Sequence, residues 1–258
     1  FSTASEWKRY KMGVWDYINN KKGVDSVLNA RVKECAPFEN VYTLALRGLH
    51  DRAMNASNDM GDRKDMLQEA LMAQRQMLID AIGKPGEEIP QAFTPYKEVL
   101  DVYDEGLELP DDVTIIWPDD NYGYMKRLSS PKEQKRSGRS GVYYHSSYLG
   151  KPHDHLWMNT ISPTLMYEEL RKAYDATADR IWLLNAGDIK SCEFAVDYFL
   201  TMAFDIDSFD FERAANYRTE WLCGMLGNQY RNEYQDVVNS FYKLAFARKP
   251  EFMGWGNQ

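Results

Sequence analysis

The sequence predicts a parallel α/β fold. Three observations carry that expectation. Strand-like and helix-like segments alternate about five times over residues 41–204. The run Val113 to Ile116 holds four β-branched residues in a row, three of them apolar, as in a strand covered on both faces. Polar residues gather where the strands end: Arg47 and Asp51, Glu98, Asp119 to Tyr122, His145 and Tyr148, Asn185 and Asp188. Alternation of this kind builds βαβ units, hence a barrel or a doubly wound sheet, and both carry function at the carboxyl ends of their strands.

Each element follows from its residues. Residues 1–22 are polar and aromatic and read as an irregular lead-in. Val24, Val27, Leu28 and Val32 are spaced for a helix from about Asp25 to Cys35, stopped by Pro37. Val41 to Leu46 is β-branched and apolar, so a strand, ending in the polar turn Arg47-Gly48-Leu49-His50-Asp51. Leu67, Leu71, Leu78 and Ile82 share one face of a helix from Asp62 to Ile82, closed by Gly83 and Pro85. Ile89 to Phe93 is a short strand candidate. Pro95 opens a helix capped by Thr94, with Glu98 in its first turn and an end near Glu105.

The stretch Val113 to Tyr124, VTIIWPDDNYGY, follows as strand and polar loop. Two adjacent carboxylates, an amide and a phenol at a buried strand end mark a binding or catalytic loop, because desolvating like charges is costly without a use for them. The basic run Lys132 to Arg139 is interrupted by Gly and Ser and reads as a mobile loop. Gly141 to His145 is a strand. Ser162-Pro163 is the N-cap and first turn of a helix to about Ala176. Arg180 to Leu184 is a buried strand ending at Asn185, and Ser191 to Ala203 is its helix. Beyond Phe209 only helical spacing remains. Tyr234, Val237, Val238, Phe241, Leu244 and Ala245 form a stripe expected in a core.

Composition excludes several classes. The 258 residues suit one large domain or a domain and a half, and 44% hydrophobic residues supply a sizeable core. A net charge of −8 argues against a nucleic-acid partner. No apolar run reaches membrane-spanning length, so no membrane partner is expected. The three cysteines show no C-x-x-C spacing and read as free thiols. No phosphate-binding glycine motif follows any strand, and no G-x-S-x-G elbow exists. No cofactor is expected. The chain opens at Phe1 without Met or leader, which reads as a processed chain or a piece of a longer one.

Chemistry narrows to two possibilities. The 17 Tyr and 7 Trp are generous, and flat rings are platforms for sugars. Trp117 and Trp157 are ring candidates, though burial suits both better. Alternatively, His153-Asp154-His155 sets two imidazoles on one side of an extended segment. With Asp119 or Asp120, these would serve a metal-dependent hydrolase, although their spacing matches no named metal pattern.

Five blocks bear on the choice. LALRGLHD (44–51), PYKEVLDVY (95–103), DVTIIWPDDNYGYMKRL (112–128), RSGRSGVYYHSSYLGKPHDHLW (136–157) and RIWLLNAGDIKSCEF (180–194) resemble glycoside hydrolase family 115, the xylan α-1,2-glucuronidases. The resemblance is strong over residues 40–205 and looser outside them. Ala45 stands where the family commonly has Gly.

The resemblance implies a (β/α)8 TIM-type barrel, here incomplete on its N-terminal side, followed by helices. The partial barrel spans residues 1–205 and a helical region, the start of a further domain, spans 206–258. It implies an inverting hydrolase that removes α-1,2-linked (4-O-methyl)glucuronic acid from glucuronoxylan or its oligosaccharides. It further implies a homodimeric parent and a periplasmic or secreted location.

Family site positions carry over to Arg47, Asp51, Glu98, Asp119, Asn121, His145, Tyr148 and Asn185, and Tyr122 joins them as a neighbour. Inverting hydrolysis needs a carboxylic acid beside the leaving oxygen and a carboxylate that activates water. Glu98 is the candidate acid, and Asp51 and Asp119 are the candidate bases. Arg47 offers a planar fork to the substrate carboxylate, or to Asp51. Asn121, Tyr122, His145, Tyr148 and Asn185 are the substrate-binding candidates. The family barrel has further strands upstream, with at least one acidic pocket residue, and they lie outside this chain. A non-catalytic sugar-binding or scaffold module is therefore one alternative, and a metal-dependent hydrolase using Asp119 or Asp120 with His153 and His155 is the other.

Overall fold

The computed structural model describes residues 7, 11, 13–49, 52–156 and 158–253. The chain divides into two compact units, Phe1–Ile116 with Lys135–Arg139, and Trp117–Gln134 with Ser140–Gln258. In chain order the described elements are α1 (Lys21–Cys35), β1 (Tyr42–Thr43), α2 (Met60–Ile82), β2 (Gln91–Phe93), α3 (Glu98–Asp104), β3 (Thr114–Pro118), β4 (Ser140–His145), α4 (Pro163–Asp175), β5 (Trp182–Asn185), α5 (Glu193–Phe204), α6 (Phe211–Leu226) and α7 (Arg231–Ala247). Strands follow one another in the sheet in chain order. The pairs β1–β2, β2–β3 and β4–β5 are parallel. Parallel strands linked through helices match part of a TIM-type barrel.

In the first unit, the core is built on α1, α2 and the strands, with Val24, Leu67, Leu71, Phe93 and Val113 fully buried. The expected strand Val41–Leu46 shrinks to Tyr42–Thr43, for a clear reason. The buried amide of Gln74 on α2 accepts from the Ala45 N–H (3.0 Å) and donates to the Ala45 carbonyl (2.9 Å). A side-chain amide presents the same donor and acceptor as a peptide, so it takes the place of a neighbouring strand. Helix α2 starts at Met60, capped by Asp59, whose carboxylate accepts from the Asp62 N–H at 3.1 Å. It ends at Gly83 with φ +72°.

Two further expectations change in this unit. The helix predicted to open at Pro95 begins instead at Glu98, and Thr94 is not its cap. Lys97 has φ +54°, which no helix tolerates, so Pro95 to Lys97 is a loop. Nor is the basic segment a mobile loop throughout. The Arg136 guanidinium donates to the carbonyls of Leu109, Pro110 and Val113 at 3.3, 2.6 and 3.1 Å, and Thr114 Oγ1 donates to the Gly138 carbonyl at 2.9 Å. Arg136 therefore fastens the approach to β3.

In the second unit, β4 and β5 pair from Val142 opposite Trp182 to His145 opposite Asn185. Every residue of β3 is buried, as the sequence predicts. Trp117 lies in the core, with its indole N–H on Ser129 Oγ at 2.8 Å, so it is no exposed sugar platform. Ser162 and Pro163 open α4 as expected, with Ser162 Oγ accepting from the Leu165 N–H at 3.2 Å. By contrast β5 is not buried throughout, and Leu183 is 43% exposed. The α7 stripe is only half covered. Val238 and Ala245 are buried, while Val237 and Leu244, one residue earlier in each turn, are 66% and 71% exposed.

Gly141 fixes the spacing of β4 against β5. A Cβ there would meet the Ile181 carbonyl oxygen at 2.0 Å, and that oxygen also accepts the Val142 N–H at 2.9 Å. Gly141→Ala is expected to lower unfolding free energy by about 3 kcal/mol or more, measured by urea denaturation, because backbone rather than a side chain must move. A loss under about 0.5 kcal/mol would show that the two strands have slack at this point.

Candidate functional site

The first unit assembles a charged pair. Arg47 follows the Gln74-clamped segment, and its carbonyl accepts the Trp15 indole N–H at 2.7 Å. Its guanidinium reaches Glu98 as a fork, Nε to Oε1 at 3.2 Å and Nη2 to Oε2 at 3.1 Å. Glu98 Oε1 also accepts the Met54 N–H at 3.3 Å. Tyr96 lies under the cation, its ring centre 5.4 Å from Arg47 Cζ. Bidentate guanidinium–carboxylate pairs are short-range and directional. The sequence expectation gave Arg47 to the substrate carboxylate or to Asp51. The structure gives this edge of its fork to Glu98. Asp51 lies outside the described residues. A cavity of about 490 Å³ in this unit reaches Arg47 and Gly48, but its walls are mostly apolar and Glu98 is not among them.

The second unit assembles a hydrogen-bonded cluster around Asp119, just beyond β3. Its carboxylate is 1% exposed as a residue and accepts four bonds. Oδ1 takes the Asn121 N–H (3.0 Å) and His145 Nδ1 (2.6 Å). Oδ2 takes the Gly123 N–H (3.2 Å) and the His145 N–H (3.0 Å). A carboxylate has about four lone-pair positions, so none is left for water. The arrangement makes Nδ1 of His145 a donor and holds the ring in one orientation. Asn121 adopts φ +73° and Gly123 φ +99°, left-handed positions that bend the loop around the carboxylate. The Tyr144 hydroxyl then donates to the Gly123 carbonyl at 2.9 Å.

A family model described as glycosyl hydrolase family 115 matches residues 1–252. The chain belongs to glycosyl hydrolase family 115. A solved structure described as a novel family GH115 4-O-methyl-α-glucuronidase, BtGH115A, with specificity for decorated arabinogalactans, is 42% identical with a TM-score of 0.91. That similarity covers 96% of this chain and 33% of the other, so the chain spans about a third of that relative's length. No curated protein matches the chain.

The other candidate site residues of this family 115 chain fall around the same second-unit cluster. Asn185 ends β5 opposite His145, and its Nδ2 donates to the Tyr143 hydroxyl at 3.2 Å. Tyr148 is buried edge-on to His145, with ring centres 5.7 Å apart, and its hydroxyl donates to the Lys151 carbonyl at 3.2 Å. Tyr122 spends its hydroxyl on the His153 carbonyl at 2.6 Å, leaving its ring as what it offers. His155 Nε2 donates to the Asn121 carbonyl at 2.6 Å, and burial pushes the His155 pKa down. Among the described residues, this unit thus gathers Asp119, Asn121, Tyr122, His145, Tyr148 and Asn185.

Two residues that hold the clusters escaped the sequence reading. Tyr143 lies between Asn185 and His145, its ring centre 4.5 Å from the imidazole. Strand alternation is the signal for it, since Tyr143 and His145 are two apart on β4 and share a face. Gln74 gave no signal, being one polar residue among many on a long helix.

The metal-dependent alternative is not assembled. Asp119 has spent its oxygens, His155 Nε2 is a donor, and Asp120 Oδ1 accepts the Tyr122 and Tyr124 N–H groups at 2.8 and 3.1 Å. The His153 ring lies against Phe252 at 4.8 Å. Among the described residues, no three His, Cys, Asp or Glu side chains are grouped as a metal would require. Trp157 lies outside the described residues.

Proposed function

We propose that this chain is the catalytic part of an α-glucuronidase that removes (4-O-methyl)glucuronic acid from branched plant polysaccharide with inversion. The observation that carries the reading is the Arg47–Glu98 fork in a family 115 chain. It sets a planar cation, suited to a uronate carboxylate, directly on a candidate catalytic carboxylate.

A guanidinium donates and accepts nothing, so Glu98 cannot carry a proton toward Arg47 and keep both contacts. The substrate's own carboxylate competes for the same fork. Its arrival releases Glu98, which then holds a proton and gives it to the glycosidic oxygen as that bond breaks. Asp51 takes the proton of the attacking water. Asp119 is the weaker choice of base, since its lone pairs are occupied. The polar groups around His145 and Asn185 are of the kind that take sugar hydroxyls.

The α-1,2 branches of xylan are the first substrate to try, and the decorated arabinogalactans of the similar enzyme are the second. The intact protein is expected to release glucuronic acid or its 4-O-methyl ether from at least one of glucuronoxylan and glucuronidated arabinogalactan, read by chromatography of the products. The first-formed sugar should be the inverted β-anomer by NMR. Binding to both polysaccharides with release from neither would make the protein a sugar-binding module instead.

A further inference from the structure

The turn that delivers Glu98 is built on an unfavourable residue. Tyr96 to Val99 closes tightly, with the Val99 N–H donating to the Tyr96 carbonyl at 3.2 Å. Lys97 takes the second position of that turn at φ +54° and ψ −122°. Those angles belong to a type II′ turn, where glycine is the usual choice because a Cβ is crowded there. We propose that Lys97 is kept at this position for its ammonium, as a specificity-determining residue that selects a uronate carboxylate over a neutral sugar. The proposal rests on the glucuronidase reading above and names a second cation for its substrate acid.

Three observations lead there. First, a left-handed lysine is strained, and strain of this kind persists at functional sites, where the surroundings hold it. Glycine would make the same turn without strain, so what the chain gains at position 97 is a side chain. Second, Lys97 and Arg47 share one ring. The Tyr96 ring centre is 5.0 Å from Lys97 Nζ and 5.4 Å from Arg47 Cζ. An aromatic face offsets part of the repulsion between two cations, and an arriving anion offsets more.

Third, the charges balance only when Lys97 is counted. The Arg47 and Glu98 side chains are largely shielded from water, 18% and 22% exposed, and their fork is neutral in sum. A uronate brings a second carboxylate to that fork. Two anions on one guanidinium repel, and shielding strengthens the effect. Lys97 is next to Glu98 in the chain and on the same ring as Arg47, and it supplies the balancing positive charge. Its flexible stem lets a point charge follow the carboxylate, whereas Arg47 aims a planar fork. A neutral sugar brings no charge to match it.

The test uses the intact protein and two variants, Lys97→Met and Lys97→Gly. Methionine keeps the stem and removes the charge, and glycine relieves the turn. Isothermal titration with glucuronic acid and with glucose reads the site. Lys97→Met is expected to weaken glucuronic acid binding about tenfold or more, the share of one charge-assisted contact, and to leave the response to glucose unchanged. Lys97→Gly should lose glucuronic acid in the same way, yet melt at or above the temperature of the parent protein. The parent affinity for glucuronic acid should fall as salt is raised, and less steeply in Lys97→Met. The proposal is overturned if the parent does not bind glucuronic acid, if Lys97→Met binds it like the parent, or if glucose is lost in the same proportion. It is equally overturned if Lys97→Gly melts below the parent, since the lysine would then be serving the fold. Release of glucuronic acid from polysaccharide is read separately on the parent protein. Its failure beside Lys97-dependent binding overturns the catalytic reading and leaves this inference standing.

Discussion

Glu98→Gln in the intact protein should lower kcat on polysaccharide by at least about 100-fold, the usual contribution of a positioned proton donor. The substitution keeps the size of the side chain and one oxygen for Arg47, so folding is expected to survive. The informative comparison is a substrate that needs no proton on departure. The aryl group of a nitrophenyl glucuronide leaves as a stable nitrophenolate, so hydrolysis of this substrate by Glu98→Gln should be impaired at least tenfold less than that of the polysaccharide. Equal impairment on both substrates would remove Glu98 from the role of acid. It would then act as the carboxylate that its pair with Arg47 displays, anchoring or accepting rather than donating.

Asp119→Ala is the change with the largest expected effect on stability. It strips the acceptor from three backbone N–H groups, at Asn121, Gly123 and His145, and from the imidazole Nδ1. Removing one partner of a buried pair typically costs about 3–5 kcal/mol, because the groups left behind stay dry and unsatisfied. Asp119→Asn should fall between parent and alanine, since its single oxygen serves two donors while its NH₂ faces the other two. Urea unfolding of the three proteins reads the series. A loss below about 1 kcal/mol in the alanine variant would mean that water replaces the carboxylate, and Asp119 would return as a candidate base.

How much of this was legible in the sequence depends on the range of the interaction. The buried strand Thr114–Pro118 was visible because four β-branched residues in a row admit few alternatives, and the Ser162-Pro163 cap because its geometry is local. That Asp119, Asn121, His145 and Asn185 stand at strand ends was legible from the alternation of elements, and the family resemblance made them site candidates. That Asp119 is fully engaged came only from coordinates. The start of α3 was misread because Thr-Pro is a sound opening, and nothing in Lys97 announces φ +54°. The Arg47–Glu98 contact joins residues 51 apart and was invisible for that reason. The exposed half of the α7 stripe shows a general limit: periodicity says which residues share a face and not whether anything covers it.

The Gln74 clamp has a consequence for how the cation is aimed. Past Thr43 the chain is steadied by a glutamine on one helix and an indole from the lead-in, two residues and zero residues from Arg47 respectively. The bearing of the guanidinium is thus set from behind, by the scaffold's outer layer. Displacing Gln74 would free the backbone two residues before Arg47 and so loosen the aim of the fork.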